Sequence, residues 1–226
     1  MKRSDINKQI VNAKKMFDSI SFKLPAFANW TPQEWKEKGS EVDEIVENAL
    51  GWDVTDYGLG DFNKTGLFLF TIRNGNYNMR SKYPKGYAEK IMIVKENQLC
   101  PMHFHWKKRE DIINRGGGIL SIKLYKADAK EELGYEDFSV SIDGVRHDLK
   151  AGDIVRLNPG ESICLEPFIY HSFTGEGADV IVGEVSDVND DANDNRFHET
   201  MGRFPKIEED EEPLHLLCTE YREWQK

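Results

Sequence analysis

The stretch Pro101–Gly118, PMHFHWKKREDIINRGGG, decides how the rest of the chain is read. His103 and His105 stand one residue apart, and on a β-strand residues i and i+2 point to one face. Imidazoles on a shared face suit a borderline divalent metal, and a nearby carboxylate adds charge and an oxygen ligand. Strict alternation from His105 would turn Asp111 to the histidine face. A bulge or change of direction over Trp106–Arg109 brings Glu110 round instead. A distant partner is His171, in EPFIYHSF, within a second β-rich block. An HxH pair by itself is a weak signal, since strand histidines also serve as ordinary structural residues. Glu110, the glycine run after it and His171 raise it to a candidate metal site. Cys100 lies close by, but its strand parity differs from that of His103, so it is not counted as a ligand.

The chain has 226 residues, room for one large domain or two small ones. Hydrophobic residues make up 39%, which provides a sizeable core beside 31% charged residues and excludes a chain disordered throughout. The formal net charge of −10 argues against nucleic acid as a partner, because phosphates would be repelled. It argues equally against an anionic membrane surface, while a neutral substrate fits. Cys100, Cys164 and Cys218 are odd in number and show no CxxC spacing, as expected of free thiols in a reducing compartment. MKRSDINKQI lacks the apolar centre of a signal peptide, and no apolar run is long enough to span a bilayer. The expected location is the cytoplasm.

Residues 4–20 place Ile6, Ile10, Val11, Met16, Phe17 and Ile20 at helical spacing, with Ser4 or Asp5 available as the cap. An extended piece over 22–27 follows. Thr31-Pro32-Gln33-Glu34 is a capping box with proline at the first helical position, predicting a helix to about Lys38. Another helix is expected over 41–50. From Val54 the texture becomes strand-like: 65–75, two strands within 87–106 around Lys95-Glu96-Asn97, 118–127, a hairpin at Asp143-Gly144 within 138–153, the 154–173 block, and 179–189. Short strands with regular turn signals predict an antiparallel sandwich or barrel. Beyond 190 come a polar loop and an acidic run, Glu208–Glu212, read as a solvated surface segment.

A small β-barrel can bring two separated strand pairs to one interior point. His103, His105, Glu110 and Gly117 follow the spacing of the first cupin motif, although Asn97 stands where its leading glycine would be. Gly152, Pro159, Gly160, Pro167 and His171 follow the second motif loosely. The chain therefore resembles the cupin superfamily. The strings GWDVTDYGLGDF (51–62), TIRNG (71–75), YAEKIMIV (87–94), PMHFHW (101–106), NPGES (158–162) and GEVSDVNDDANDNRF (183–197) resemble, more closely, the D-lyxose isomerase family. That resemblance covers nearly the whole chain. It implies a mainly β, cupin-type antiparallel β-barrel, jelly-roll-like, as a single domain over 1–226. Within it, 1–50 is a helical N-terminal extension packed outside, 54–190 the barrel and 191–226 a C-terminal loop and tail. It also implies a manganese (Mn2+) enzyme, a homodimer, and the interconversion of D-lyxose with D-xylulose and of D-mannose with D-fructose. The implied metal ligands are His103, His105, Glu110 and His171.

Aldose–ketose isomerisation moves a proton between C1 and C2 and adjusts protons on two oxygens, which asks for a general base and a second ionisable group. Glu184 in VIVGEVS and Lys90 in YAEKIMIV are charges inside apolar strands, costly unless partnered or used. Outward-facing surface positions are the alternative for both. The resemblance points to the same two residues, with Glu184 expected as the base at carbon and Lys90 as the partner at the oxygens. Asp190, Asp194 and Arg196 in the 189–197 loop are expected to meet the sugar hydroxyls. Phe104, Trp106 and Tyr170 are read mainly as core, and His147, His198 and His215 as ordinary residues. An iron-dependent dioxygenase, which has little use for Glu184 and Lys90 together, and a non-catalytic sugar-binding cupin are the competing expectations.

Overall fold

The computed structural model describes residues 1–202 and 205–225. The strands are β1 (Gly51–Thr55), β2 (Leu67–Arg73), β3 (Tyr87–Val94), β4 (Cys100–Phe104), β5 (Glu110–Lys126), β6 (Phe138–Ile142), β7 (Val145–Leu149), β8 (Ile154–Leu157), β9 (Ser162–Leu165), β10 (Ile169–Asp187) and β11 (Arg196–Phe197). The helices are α1 (Arg3–Ser19), α2 (Pro32–Lys36), α3 (Asp43–Glu47) and α4 (Tyr221–Trp224). All named strand pairs are antiparallel.

The long strands β5 and β10 run beside each other and organise everything else. Their inner halves, 110–117 and 180–186, are flanked by β3, β2 and β1 on one side and by β9, β6 and β7 on the other. Their other halves, 119–126 and 169–176, are flanked by β4, β11 and β8. The ribbon doubles over between them at Gly116–Gly118 and Gly175–Gly177, where the register shifts. The glycines are required there: Gly117 has φ 95°, and a Cβ added to it would collide with the Asp179 carbonyl oxygen. The sequence reading began a strand at this glycine run, at residue 118, but β5 starts at Glu110 and the run bends it. The reading also ended the following block near residue 173, where β10 continues. β1 and β7, the two ends of the pairing path, do not pair among the described residues, so the sheet is folded over and not closed into a barrel.

The strand LFLF of β2 is buried on both faces. Leu67 and Leu69 join Met92, Val94, Ile112 and Leu124 between the two halves of the fold. Phe68 and Phe70 point the other way, onto Ile6, Ile10 and Phe17 of α1. β1 starts at Gly51, earlier than the expected change at Val54, and its Trp52 and Val54 join that outer layer. The Thr31/Glu34 capping box of α2 is present. The helix expected over 41–50 is a 3-10 turn, Ser40–Val42, followed by the short α3.

Neither Ser4 nor Asp5 caps α1. The N-cap is Lys2, with no side-chain bond, and the acidic tail supplies the acceptors instead. The Arg3 and Ser4 N–H groups donate to the Glu208 carbonyl and to Asp210 Oδ1, both at 2.9 Å. The Arg3 guanidinium, 2% exposed, grips Glu209 (Nε to Oε2 2.8 Å) and also pairs with Glu220. The run read as solvated thus satisfies the open N–H groups and the positive end of a helix. Arg3→Ala is expected to destabilise the fold by about 3 kcal/mol in denaturant titrations, since it strands the largely buried Glu220 carboxylate. The hydrogen bond from Arg3 holds the Glu209 carboxyl below its ordinary range. Its contribution is therefore present above the ordinary glutamate pKa and is lost as the pH falls through the depressed native value. Hydrogen exchange of the first turn of α1 is expected to quicken over that acid range in the native protein and to lose this pH dependence in Arg3→Ala.

Candidate metal centre and catalytic cavity

β4 brings His103 into register with His171 of β10. After Phe104 the chain leaves the strand, turns, and begins β5 at Glu110, so a change of direction carries Glu110 to the histidines. The ribbon's bend completes the site. Glu110 pairs with Ser186 in the sheet and His171 with Leu124, yet Glu110 Oε1 and His171 Nε2 lie 3.0 Å apart. The donor nitrogens of His103, His105 and His171 all fall within 4.8 Å of one another.

Each ring is oriented by a backbone carbonyl: Nδ1 meets Pro101 O at 2.8 Å in His103, Asp194 O at 2.5 Å in His105 and Ile169 O at 3.0 Å in His171. Nδ1 therefore carries the proton and Nε2 presents a lone pair to the interior. Burial, followed by its histidine neighbours, keeps His103 far below the ordinary histidine pKa; burial and then Lys108 bring His105 down to about 4. Burial also opposes ionisation of Glu110, but Lys108, His105 and His171 outweigh it and hold its carboxyl well below the usual range. Glu110 Oε1 and His171 Nε2 are enclosed, and neither makes a hydrogen bond. Two acceptors facing each other at this distance fit a shared cation. Glu110 Oε2 is occupied by Lys108 Nζ at 2.7 Å, leaving Oε1 for an ion. By donor chemistry and orphaned atoms alike, the cluster fits a divalent metal.

Beside it lies a second buried cluster of charges. Lys90, Met92 and Val94 alternate to the interior of β3, and Val180, Val182 and Glu184 to that of β10; Glu184 is the cross-strand partner of Lys90. Both side chains are 5% exposed, so the surface alternative does not hold. Lys90 Nζ is 3.4 Å from Glu184 Oε1, which also receives Lys108 Nζ at 3.0 Å and the Ser186 hydroxyl at 3.1 Å. Lys108 was missed in the sequence reading. It sits in an irregular turn, where no periodicity tells which of Lys107, Lys108 and Arg109 points inward. Its nearness to Glu110 in KKRE was the available signal.

The expected sugar-contacting residues lie beside the cavity and do not line it. Asp194 is 3% exposed and spends both carboxylate oxygens on the Lys107 and Lys108 N–H groups, each at 2.9 Å, so it fixes the turn that aims Lys108. Asp190 binds Asn193, and Arg196 reaches the Glu131 carbonyl and Glu132. Their neighbours Asp191, Asn195 and Phe197 face the cavity, and Asn195 Oδ1 is buried without a hydrogen bond. Cys100 also lines the cavity, because two residues of β4, Pro101 and Met102, oppose the single Ser172 of β10 and reset its parity; its Sγ meets the Tyr57 hydroxyl at 3.2 Å. Phe104 and Tyr170 pack ring against ring, as expected of core residues.

A folded antiparallel sheet of the cupin type, with this buried histidine cluster beside paired lysines and carboxylates, defines a class: the cupin-type sugar isomerases. The chain belongs to the D-lyxose isomerase family, whose sequence profile matches residues 1–221. It is 50% identical over 224 residues to the D-lyxose/D-mannose isomerase of Serratia proteamaculans, covering 98% of each chain. It is 48% identical over 227 residues to the D-lyxose/D-mannose isomerase of Escherichia coli O157:H7, covering 99% of this chain and 100% of that one. Its fold is that of the L-ribose isomerase of Cellulomonas parahominis, with TM-score 0.61 at 14% identity over 92% of this chain and 98% of the other. The protein is a sugar aldose–ketose isomerase. No helix among the described residues is long and apolar enough to cross a membrane.

Proposed function

We propose that this isomerase interconverts D-lyxose with D-xylulose, and D-mannose with D-fructose, by proton transfer through an enediol or enediolate of the sugar. The observation that carries the reading is the pair of orphaned acceptors, Glu110 Oε1 and His171 Nε2, set next to Glu184 and its two lysines. The names of the relatives support the two sugars. His103, His105, Glu110 and His171 would hold a divalent ion, with manganese favoured by the family resemblance. When bound, such an ion polarises a carbonyl and stabilises negative charge on oxygen.

The chain's own groups account for the rest. The Glu184 carboxylate is the base that takes the proton from one carbon and returns it to the next. Lys90 and Lys108, fixed against that carboxylate, serve the two oxygens, donating to whichever carries more charge. Asp191 and Asn195 meet the hydroxyls further along the sugar. Tyr57, Leu69 and Phe197 keep bulk water from the exchanging proton. A cytoplasmic location belongs to the proposal too, resting on three cysteines without CxxC spacing. The homodimer implied by the resemblance is part of the same proposal, with light scattering in solution as its test.

Protein stripped with a chelator is expected to lose turnover of D-lyxose and to regain it with manganese under nitrogen, measured as ketose formed. Conversion that requires oxygen would identify a dioxygenase, and silence with every divalent metal a binding protein.

A further inference from the structure

Lys90 and Lys108 share more than Glu184. Both ammonium groups donate to one neutral oxygen, Asn189 Oδ1, at 2.5 and 3.2 Å. An ammonium has three N–H groups. Asn189 Oδ1 is the third acceptor of Lys108 Nζ, after Glu110 and Glu184, and the shortest contact of Lys90 Nζ, whose carboxylate neighbours Glu184 and Asp191 lie at 3.4 and 3.6 Å. Asn189 follows the end of β10 and belongs to no helix or strand, so its placement must come from elsewhere.

It comes from Asn74, just past β2 and 5% exposed. The Asn74 amide pairs with the Asn189 backbone as a strand would: the Asn189 N–H donates to Asn74 Oδ1 at 3.0 Å, and Asn74 Nδ2 donates to the Asn189 carbonyl at 2.9 Å. Asn74 is tied in turn to Asn48, the C-cap of α3. Each side-chain amide donates to the other residue's carbonyl at 3.3 Å, and Asn48 Oδ1 accepts from Asn76 at 3.2 Å. Only an asparagine offers both a donor and an acceptor at this reach. Aspartate lacks the donor, and glutamine is one methylene too long.

We propose that Asn48, Asn74 and Asn189 are a positioning relay that fixes the two buried lysines for proton transfer, with Asn74 acting through Asn189. The proposal rests on the isomerase reading of the cavity. Asn74 touches none of the reacting groups, so its effect is on alignment. A displacement of about 1 Å at such a site costs on the order of 10²-fold in rate.

The test is steady-state kinetics on D-lyxose with bound metal quantified for each variant. Asn74→Ala and Asn189→Leu are each expected to lower kcat by about 10²-fold, with KM and metal content little changed. Asn189→Asp keeps an oxygen for both ammonium groups and is expected to recover most of the loss. The double variant Asn74→Ala/Asn189→Leu is expected to be no worse than Asn189→Leu alone, as for residues acting in series. Losses that multiply, an Asn189→Asp no better than Asn189→Leu, or a wild-type kcat per metal-loaded site in Asn74→Ala would each overturn the relay. Hydrogen exchange of the Asn189 amide in metal-free protein gives a readout apart from turnover: it quickens in Asn74→Ala if the pairing is as described, and unchanged exchange overturns the proposal. If the wild type converts no aldose, the isomerase reading fails on its own, and this exchange measurement still decides the relay. Should Asn74→Ala fold poorly, Asn74→Asp removes the donor, sets a carboxylate against the Asn189 carbonyl and is expected to show the same kcat loss.

Discussion

Glu184→Gln is expected to lower kcat by about 10²–10⁴-fold while the metal stays bound. The substitution keeps the shape of the side chain and an oxygen for Lys108 and Ser186, so the cross-strand pairing with Lys90 and the packing of β10 survive. What it removes is the ability to take a proton from carbon. Glu184 is not among the clustered donor atoms, so metal analysis of the variant is expected to match the wild type. Transfer of a hydrogen label between the sugar's C1 and C2 should fall in step with kcat. Near-normal turnover in Glu184→Gln would assign the base elsewhere.

Lys108→Met is expected to damage both rate and stability. Lys108 is 2% exposed and is the only ammonium within 3.0 Å of both Glu110 and Glu184 among the described residues. Methionine preserves much of the volume but leaves two buried carboxylates without that cation, and breaking a buried pair in this way costs about 3–5 kcal/mol. In chelator, the denaturation midpoint is expected to fall by a corresponding amount. In metal-loaded protein, kcat is expected to drop by about 10²–10⁴-fold, since one of the two groups serving the sugar oxygens is gone. Lys108→Arg should not restore activity, because the planar fork cannot occupy the position of a compact ammonium between two carboxylates and Asn189. Wild-type stability in Lys108→Met would show that its ion pairs add nothing to the fold.

Much of the site was legible because strand periodicity is a strong local signal. HxH follows the two-residue alternation of a pleated chain, the hairpin is marked by its Asp143-Gly144 turn, and Lys90 and Glu184 stand out as charges inside apolar strands. What escaped was irregular backbone. Lys108 sits in a turn stitched together by Asp194, eighty-odd residues away, and no window of local sequence contains that bond. For the same reason the 189–197 loop was expected to rim the site through Asp190, Asp194 and Arg196, while the side chains of that loop that line the cavity include Asp191 and Asn195. The acidic tail was misread because its partner, the first turn of α1, lies at the opposite end of the chain. The glycine run was noticed, but its meaning depends on Asp179 and Glu176 lying across it, which only the paired ribbon supplies.

The doubled ribbon also bears on how the protein reaches its native state. Glu110 and His171 meet only after β5 and β10 have paired along their length and folded over, so the ion site is assembled from contacts remote in sequence. Such topologies form slowly, because chain-closure entropy must be lost before the distant contacts can form. Added metal is therefore expected to slow unfolding far more than it speeds refolding, acting as a latch on a finished molecule and not as a nucleus for it.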